Sequence, residues 1–116
     1  MGDDSGMTTK HDALFVYGTL MDEANRGRIL GHGVSTVEAR LDGFERRYGK
    51  YPYLVRADGA ATLGMIMLGL TDEDWRRLDA YEDVPRLYTR EEIEAVIADG
   101  PIRCWVYLPT PDWIKL

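Results

Sequence analysis

The sequence predicts an α+β domain built on a mixed or barrel-like sheet, and three observations carry that prediction. A short apolar run, Ala13-Leu14-Phe15-Val16-Tyr17, stops at Gly18, as a buried strand does. Thr71–Glu82 (TDEDWRRLDAYE) has the caps and spacing of an amphipathic helix. Two strand-like runs, Tyr88–Ile97 and Ile102–Leu108, flank the turn signal Asp99-Gly100. The element order is β, short α, several β, one strong α and a β-hairpin, which is an α+β pattern.

Residues 1–12 (MGDDSGMTTKHD) are small and charged and read as a solvated tail, leaving 13–116 as one domain. After the first strand, Asp22 is a candidate cap for a weak helix that runs to Leu30 and stops at Gly31. From Val34 to Tyr48 an alternating pattern is broken by Asp42-Gly43, a turn or bulge signal. Tyr53–Arg56 reads as a short strand, Ala57-Asp58-Gly59 as a turn, and Leu63–Leu70 as a separate central strand. Glycine at 64 and 69 there permits close backbone approach. In the strong helix, Thr71 and Asp74 form a capping pair, the acids at 72–74 suit the helix dipole, and Trp75, Leu78 and Tyr81 or Glu82 share one face. Tyr88–Ile97 has helical composition, but its partner across Asp99-Gly100 makes it a strand. Two prolines make Pro109–Leu116 an irregular strap over the core.

The chain has 116 residues, enough to bury roughly 65% of its unfolded surface in one core. Its net charge of −6 disfavours nucleic acid and anionic membranes as partners. No apolar run approaches the ~20 residues of a membrane helix, and Met1–Lys10 lacks the apolar segment of a secretory signal. The expected location is the cytoplasm, and the expected partner a small molecule. The lone Cys104 excludes an intramolecular disulfide, and with His11 and His32 it cannot form a zinc site. Cys104 alternates with Ile102, Val106 and Leu108 and reads as a buried, inert thiol. His11 and His32 read as bystanders rather than bases.

Two segments carry potential chemistry. Tyr17-Gly18-Thr19-Leu20 leaves a buried strand, and glycine there lets the following backbone N–H groups turn outward toward a carboxylate or an oxyanion. In Leu78-Asp79-Ala80-Tyr81-Glu82-Asp83, Glu82 ends the helix on its apolar side. Apolar surroundings raise a carboxylate's pKa and make it a candidate base. Asp79 and Asp83 compete for that role, with Asp79 pointing more sideways.

Together with Tyr51-Pro52-Tyr53-Leu54-Val55, Gly64-Met65-Ile66, Tyr88-Thr89-Arg90 and Val106-Tyr107, these segments resemble the gamma-glutamylcyclotransferase-like family, including its AIG2-like and gamma-glutamylamine cyclotransferase branches. The resemblance covers Leu14 to about Pro109. It implies a small mixed β-barrel flanked by helices with a pocket at the barrel mouth. It also implies a cofactor-independent enzyme; no metal is expected, and the expected state is a monomer or homodimer. Its reaction cyclises a gamma-glutamyl group to 5-oxoproline and releases an amine or amino acid. Glu82 is then the catalytic acid–base, and Tyr17, Gly18, Thr19, Leu20 and Tyr107 bind substrate; Tyr53, Tyr88 and Tyr107 serve either as pocket wall or as core packing. The family often has glycine after the glutamate. Asp83 stands there instead, so either its charge raises the pKa of Glu82 further or the turn differs and moves the carboxylate. The alternative on the same fold is a non-catalytic module that holds a small carboxylate.

Overall fold

Leu14–Val16 forms the first strand, β1, and its apolar run reflects burial on both faces. Phe15 points into a barrel core with Leu41, Leu54, Ile66, Cys104 and Val106, whereas Leu14 and Val16 pack outward against Leu30, Trp75 and Leu78 of the helices. The computed structural model describes residues 12–111. After β1 come a 3-10 turn (Thr19–Met21), helix α1 (Glu23–Leu30), strands β2 (Ser35–Tyr48) and β3 (Pro52–Leu68), helix α2 (Asp72–Tyr81) and strands β4 (Tyr88–Ile97) and β5 (Gly100–Pro109). The strands close a barrel in the order β1-β3-β2-β4-β5, in which β1 runs antiparallel to β3 and parallel to β5. The expected α+β barrel with flanking helices is the fold found.

The helices begin and end where their caps stand. The Asp22 carboxylate accepts the Asn25 N–H at 3.0 Å, and Gly31 closes α1 in the left-handed region at φ +81°. At α2 the Thr71 hydroxyl accepts the Asp74 N–H (3.1 Å) while the Asp74 carboxylate accepts the Thr71 N–H (3.0 Å), a complete capping box. Asp74 is buried, and His32 is more than a bystander: its Nε2 lies 2.7 Å from Asp74 Oδ1, while its Nδ1 lies 2.8 Å from the Gly33 carbonyl oxygen. Burial opposes ionisation of Asp74, but the hydrogen bonds from Thr71 and His32 outweigh it and hold the carboxyl below its usual range. The same contact raises the His32 pKa.

One expectation is corrected. Ala57-Asp58-Gly59 is not a turn between two strands but a bulge within the single strand β3. Asp42 pairs with Ala61 and Phe44 with Arg56, so residues 57–60 face Gly43 alone. Both Asp-Gly pairs have positive φ at glycine, +84° at Gly43 and +81° at Gly59. Local chemistry that reads as a turn or bulge at Asp42-Gly43 and a turn at Ala57-Asp58-Gly59 makes one bend in a long hairpin. That hairpin turns at residues 49–51, where the Gly49 N–H reaches the Tyr51 carbonyl (3.3 Å). The β4–β5 hairpin forms as expected, with Ile97 opposite Gly100. Of the expected tail only Asp12 is described, and its carbonyl accepts the Leu70 N–H at 3.0 Å. The strap is described through residue 111: Pro109 ends β5, and the Thr110 N–H donates to the Leu87 carbonyl at 2.8 Å. Among the described residues, no helix is long and apolar enough to cross a membrane.

Gly64 sets how closely β1 approaches β3. A Cβ at that position would lie 2.3 Å from the Val16 carbonyl oxygen and 2.8 Å from the Phe15 ring. Both neighbours are fixed, one by the backbone and one by the core. Gly64→Ala is therefore expected to cost about 2 kcal/mol or more, as overpacking does, and to lower the melting temperature by at least about 8 °C. Thermal unfolding followed by circular dichroism measures this directly; an unchanged melting temperature refutes the tight contact.

Candidate active site

The chain leaves β1 at Tyr17 and enters the 3-10 turn through Gly18, which holds φ −131° and ψ −132°. The first bond within this turn is from the Met21 N–H to the Gly18 carbonyl (2.9 Å), followed by Asp22 N–H to Thr19 (3.2 Å). The N–H groups of Thr19 and Leu20 therefore have no partner within the turn. Across from it, α2 ends at Glu82, whose own N–H still donates to the Leu78 carbonyl at 2.9 Å. The turn and the helix end share one cavity of about 510 Å³. Tyr17, Gly18, Thr19, Leu20, Glu82 and Tyr107 all line it, so the candidate base and the candidate substrate-binding residues reach the same hollow. Tyr88 lines it too. Tyr53 packs instead into the cluster between barrel and helices.

Glu82 is half-buried, and among the described residues its carboxylate makes no ion pair or hydrogen bond. Burial pushes its pKa up from 4.5 to about 7. Of the two residues that could occupy the apolar side of α2, Glu82 turns inward and Tyr81 stays 44% exposed. The Tyr81 hydroxyl lies 2.7 Å from Thr19 Oγ1, which ties the helix end to the turn. Tyr17 and Tyr107 are buried walls whose hydroxyls are already engaged. Tyr17 donates to the Tyr107 carbonyl at 2.8 Å, and Tyr107 donates to Asp79 Oδ1 at 2.7 Å. Burial raises both phenol pKa values, so neither phenol ionises near neutrality.

The competing acids are neutralised. Asp79 faces sideways, held by Tyr107 and by Arg90, whose Nε lies 3.1 Å from Oδ1. Arg90 in turn lies over the Trp75 ring, 4.5 Å from its centre. Asp83 binds Arg86 (Nε to Oδ2, 2.9 Å). It takes φ +58°, the left-handed conformation that glycine adopts freely and aspartate tolerates. Asp83 thus holds a left-handed turn, and its charge is not among the causes of the Glu82 shift. Tyr51, Pro52 and Arg86 also line the cavity. Tyr51 and Pro52 belong to a motif that the sequence offers without a role in the site, and Arg86 to none, because the β2–β3 turn and the loop after α2 meet here only once the barrel closes. Cys104 is buried, its pKa pushed up to about 12 by burial, consistent with an inert thiol. No group of three or more metal-ligating side chains occurs among the described residues.

A closed α+β barrel with one desolvated glutamate facing a strand-exit turn defines the class of protein. The chain belongs to the family described as gamma-glutamyl cyclotransferase, AIG2-like, whose model matches residues 14–115. It is 34% identical over 99 residues to AIG2-like protein D of Arabidopsis thaliana, covering 83% of this chain and 63% of that protein. It is 30% identical over 90 residues to a gamma-glutamylcyclotransferase and putative RNase of Methanocaldococcus jannaschii, covering 75% of this chain and 40% of that one. An Arabidopsis thaliana protein solved in solution has a similar fold, with a TM-score of 0.78, 25% identity, and coverage of 90% of this chain and 72% of that one. The chain thus spans 40% to 63% of the length of these two curated relatives.

Glu82 gains a proton on folding between pH 4.5 and about 7, because its folded pKa lies above its unfolded one. Stability therefore falls as pH rises through that window and levels off above it. Glu82→Gln removes this slope and stabilises the protein at pH 8 by at most about 3 kcal/mol, measured by urea unfolding at several pH values. At the next position, Asp83→Gly keeps the turn and changes stability by less than about 1 kcal/mol, whereas Asp83→Val, β-branched at positive φ, costs about 1–3 kcal/mol. Equal losses in both variants would count against the left-handed turn.

Proposed function

We propose that the protein cyclises a gamma-glutamyl group to 5-oxoproline and releases an amine or amino acid. The observation that carries the reading is the placement of Glu82, with its carboxylate unpaired and titrating near neutrality, in one cavity with the Tyr17–Leu20 turn. In this reaction the substrate's own α-amine attacks its side-chain amide carbon, a C–N bond forms within the ring, and the original amide C–N bond breaks. The nucleophile belongs to the substrate, so the reaction needs neither a reactive cysteine nor a serine triad, and a buried Cys104 presents no obstacle. Ring closure from a well-held conformer has effective molarities up to about 10⁵–10⁸ M, so orientation supplies much of the acceleration.

Two protein groups do the rest. The α-ammonium gives up two protons in becoming the lactam N–H; Glu82 takes them one after the other and delivers both to the leaving nitrogen, which departs as an ammonium, so the carboxylate ends as it began. A carboxylate of ordinary pKa is a poor acid at pH 7; one near 7 serves in both directions, a role worth about 10²–10⁴-fold. The free N–H groups of Thr19 and Leu20 receive the substrate carboxylate or the oxyanion that forms on the amide carbonyl. One such donor is worth about 10²–10³-fold in rate. A module that only held a carboxylate gains nothing from an acid titrating near 7 beside it, which favours the catalytic reading over the binding one.

The test offers gamma-glutamyl amino acids and gamma-glutamylamines to the purified protein and assays 5-oxoproline. Turnover is expected to rise with pH along an acid limb centred near 7. Glu82→Gln is expected to lose about 10²-fold or more while remaining folded. Undiminished turnover in that variant removes Glu82 from the mechanism.

A further inference from the structure

Arg26, on the inner side of α1, is buried (9% exposed) and forms no ion pair among the described residues. Its Nη1 instead donates to two carbonyl oxygens of the 3-10 turn, Leu20 at 3.0 Å and Met21 at 2.8 Å, and lies 3.4 Å from the Met65 sulfur. Burying a cation against neutral acceptors alone is costly, and acceptors elsewhere on the surface leave it better hydrated. The choice of these two carbonyls is informative because of what lies behind them.

Each carbonyl shares a peptide plane with the N–H of the next residue. The Leu20 carbonyl is joined to the Met21 N–H, which donates to the Gly18 carbonyl at 2.9 Å. The Gly18 carbonyl is joined to the Thr19 N–H. The Met21 carbonyl is likewise joined to the Asp22 N–H, which donates to the Thr19 carbonyl at 3.2 Å, and that carbonyl is joined to the Leu20 N–H. Two parallel chains of peptide dipoles thus run from one guanidinium to the two N–H groups left free by the turn, and Thr19 and Leu20 both line the cavity. Hydrogen bonds in series polarise one another by about 10–30% per bond, and a cation at the head of both chains increases the positive end at their tails.

We propose that Arg26 is a positioning residue for the reaction: through the two peptide chains it fixes and polarises the Thr19 and Leu20 N–H groups that receive the developing negative charge. The proposal rests on the cyclotransferase reading for its catalytic part, while the polarisation itself is independent of any substrate. Asn25 supports the same turn more weakly, its Nδ2 donating to the Thr19 carbonyl at 3.2 Å without bringing a charge.

The experiment compares Arg26→Met, which keeps length and loses charge, with Arg26→Lys, which keeps charge. Amide ¹H–¹⁵N spectra of the folded variants are recorded beside the kinetics of 5-oxoproline formation. In Arg26→Met the Thr19 and Leu20 amide protons are expected to move upfield, and kcat to fall about 10-fold with KM changed less than about 3-fold. That is a fraction of the value of a whole oxyanion donor. Arg26→Lys is expected to recover most of both, and the acid limb near pH 7 is expected to stay in place. Amide shifts that do not respond in Arg26→Met overturn the proposal, as does a kcat loss that lysine fails to rescue. If neither variant folds, Arg26 is a structural clamp and the proposal falls. If the unmodified protein shows no turnover while the amides still respond to the charge, the polarisation stands and the reaction reading has failed.

Discussion

Three residues close this barrel. β1 is only Leu14–Val16, yet it bonds to β3 on one side and β5 on the other, and without it the sheet has two open edges. So short a strand holds its place through contact on both faces, Phe15 into the barrel and Leu14 and Val16 into the helical layer. The backbone can come that near β3 because residue 64 has no side chain to meet the Val16 carbonyl. Everything at the mouth follows, since the next residues after β1 are the turn that lines the cavity.

The other half of the site is placed by a helix whose two ends do different work. At its start, buried Asp74 is fixed by Thr71 and His32, which anchors the register of α2 with a full set of partners. At its end Glu82 has none among the described residues, and burial costs the protein stability at neutral pH. A fully satisfied carboxylate holds the element and an unsatisfied one is exposed to the cavity. This division is common where binding energy and stability compete for the same residue type.

Much of this was legible in local chemistry. The caps of both helices, the β4–β5 hairpin and the burial of Cys104 follow from residues within a few positions of each other. The long β2–β3 hairpin was not legible, because Asp42-Gly43 and Asp58-Gly59 carry the same signal whether the chain reverses or bulges; only pairing of Ala61 with Asp42 across the sheet decides. The meeting of Tyr17–Leu20 with Glu82 is a contact between segments some sixty residues apart, and neither segment alone announces it. It was read from the resemblance of several spaced motifs together. Tyr51 stood in one of those motifs without a role in the site, Arg86 stood in none, and the place of both emerges only from the closed fold.

The acidic run at the end of α2 shows why composition alone does not select a base. Asp79, Glu82 and Asp83 are chemically alike and lie within five residues, yet the barrel treats them differently. Arg90, anchored over Trp75, and the Tyr107 hydroxyl occupy Asp79; Arg86 occupies Asp83. Each of those contacts gives its carboxylate a partner. Glu82 is the member of the trio that the fold desolvates and, among the described residues, leaves without a cation, and burial raises its pKa to about 7. The site is defined as much by the two carboxylates that are tied down as by the one left free.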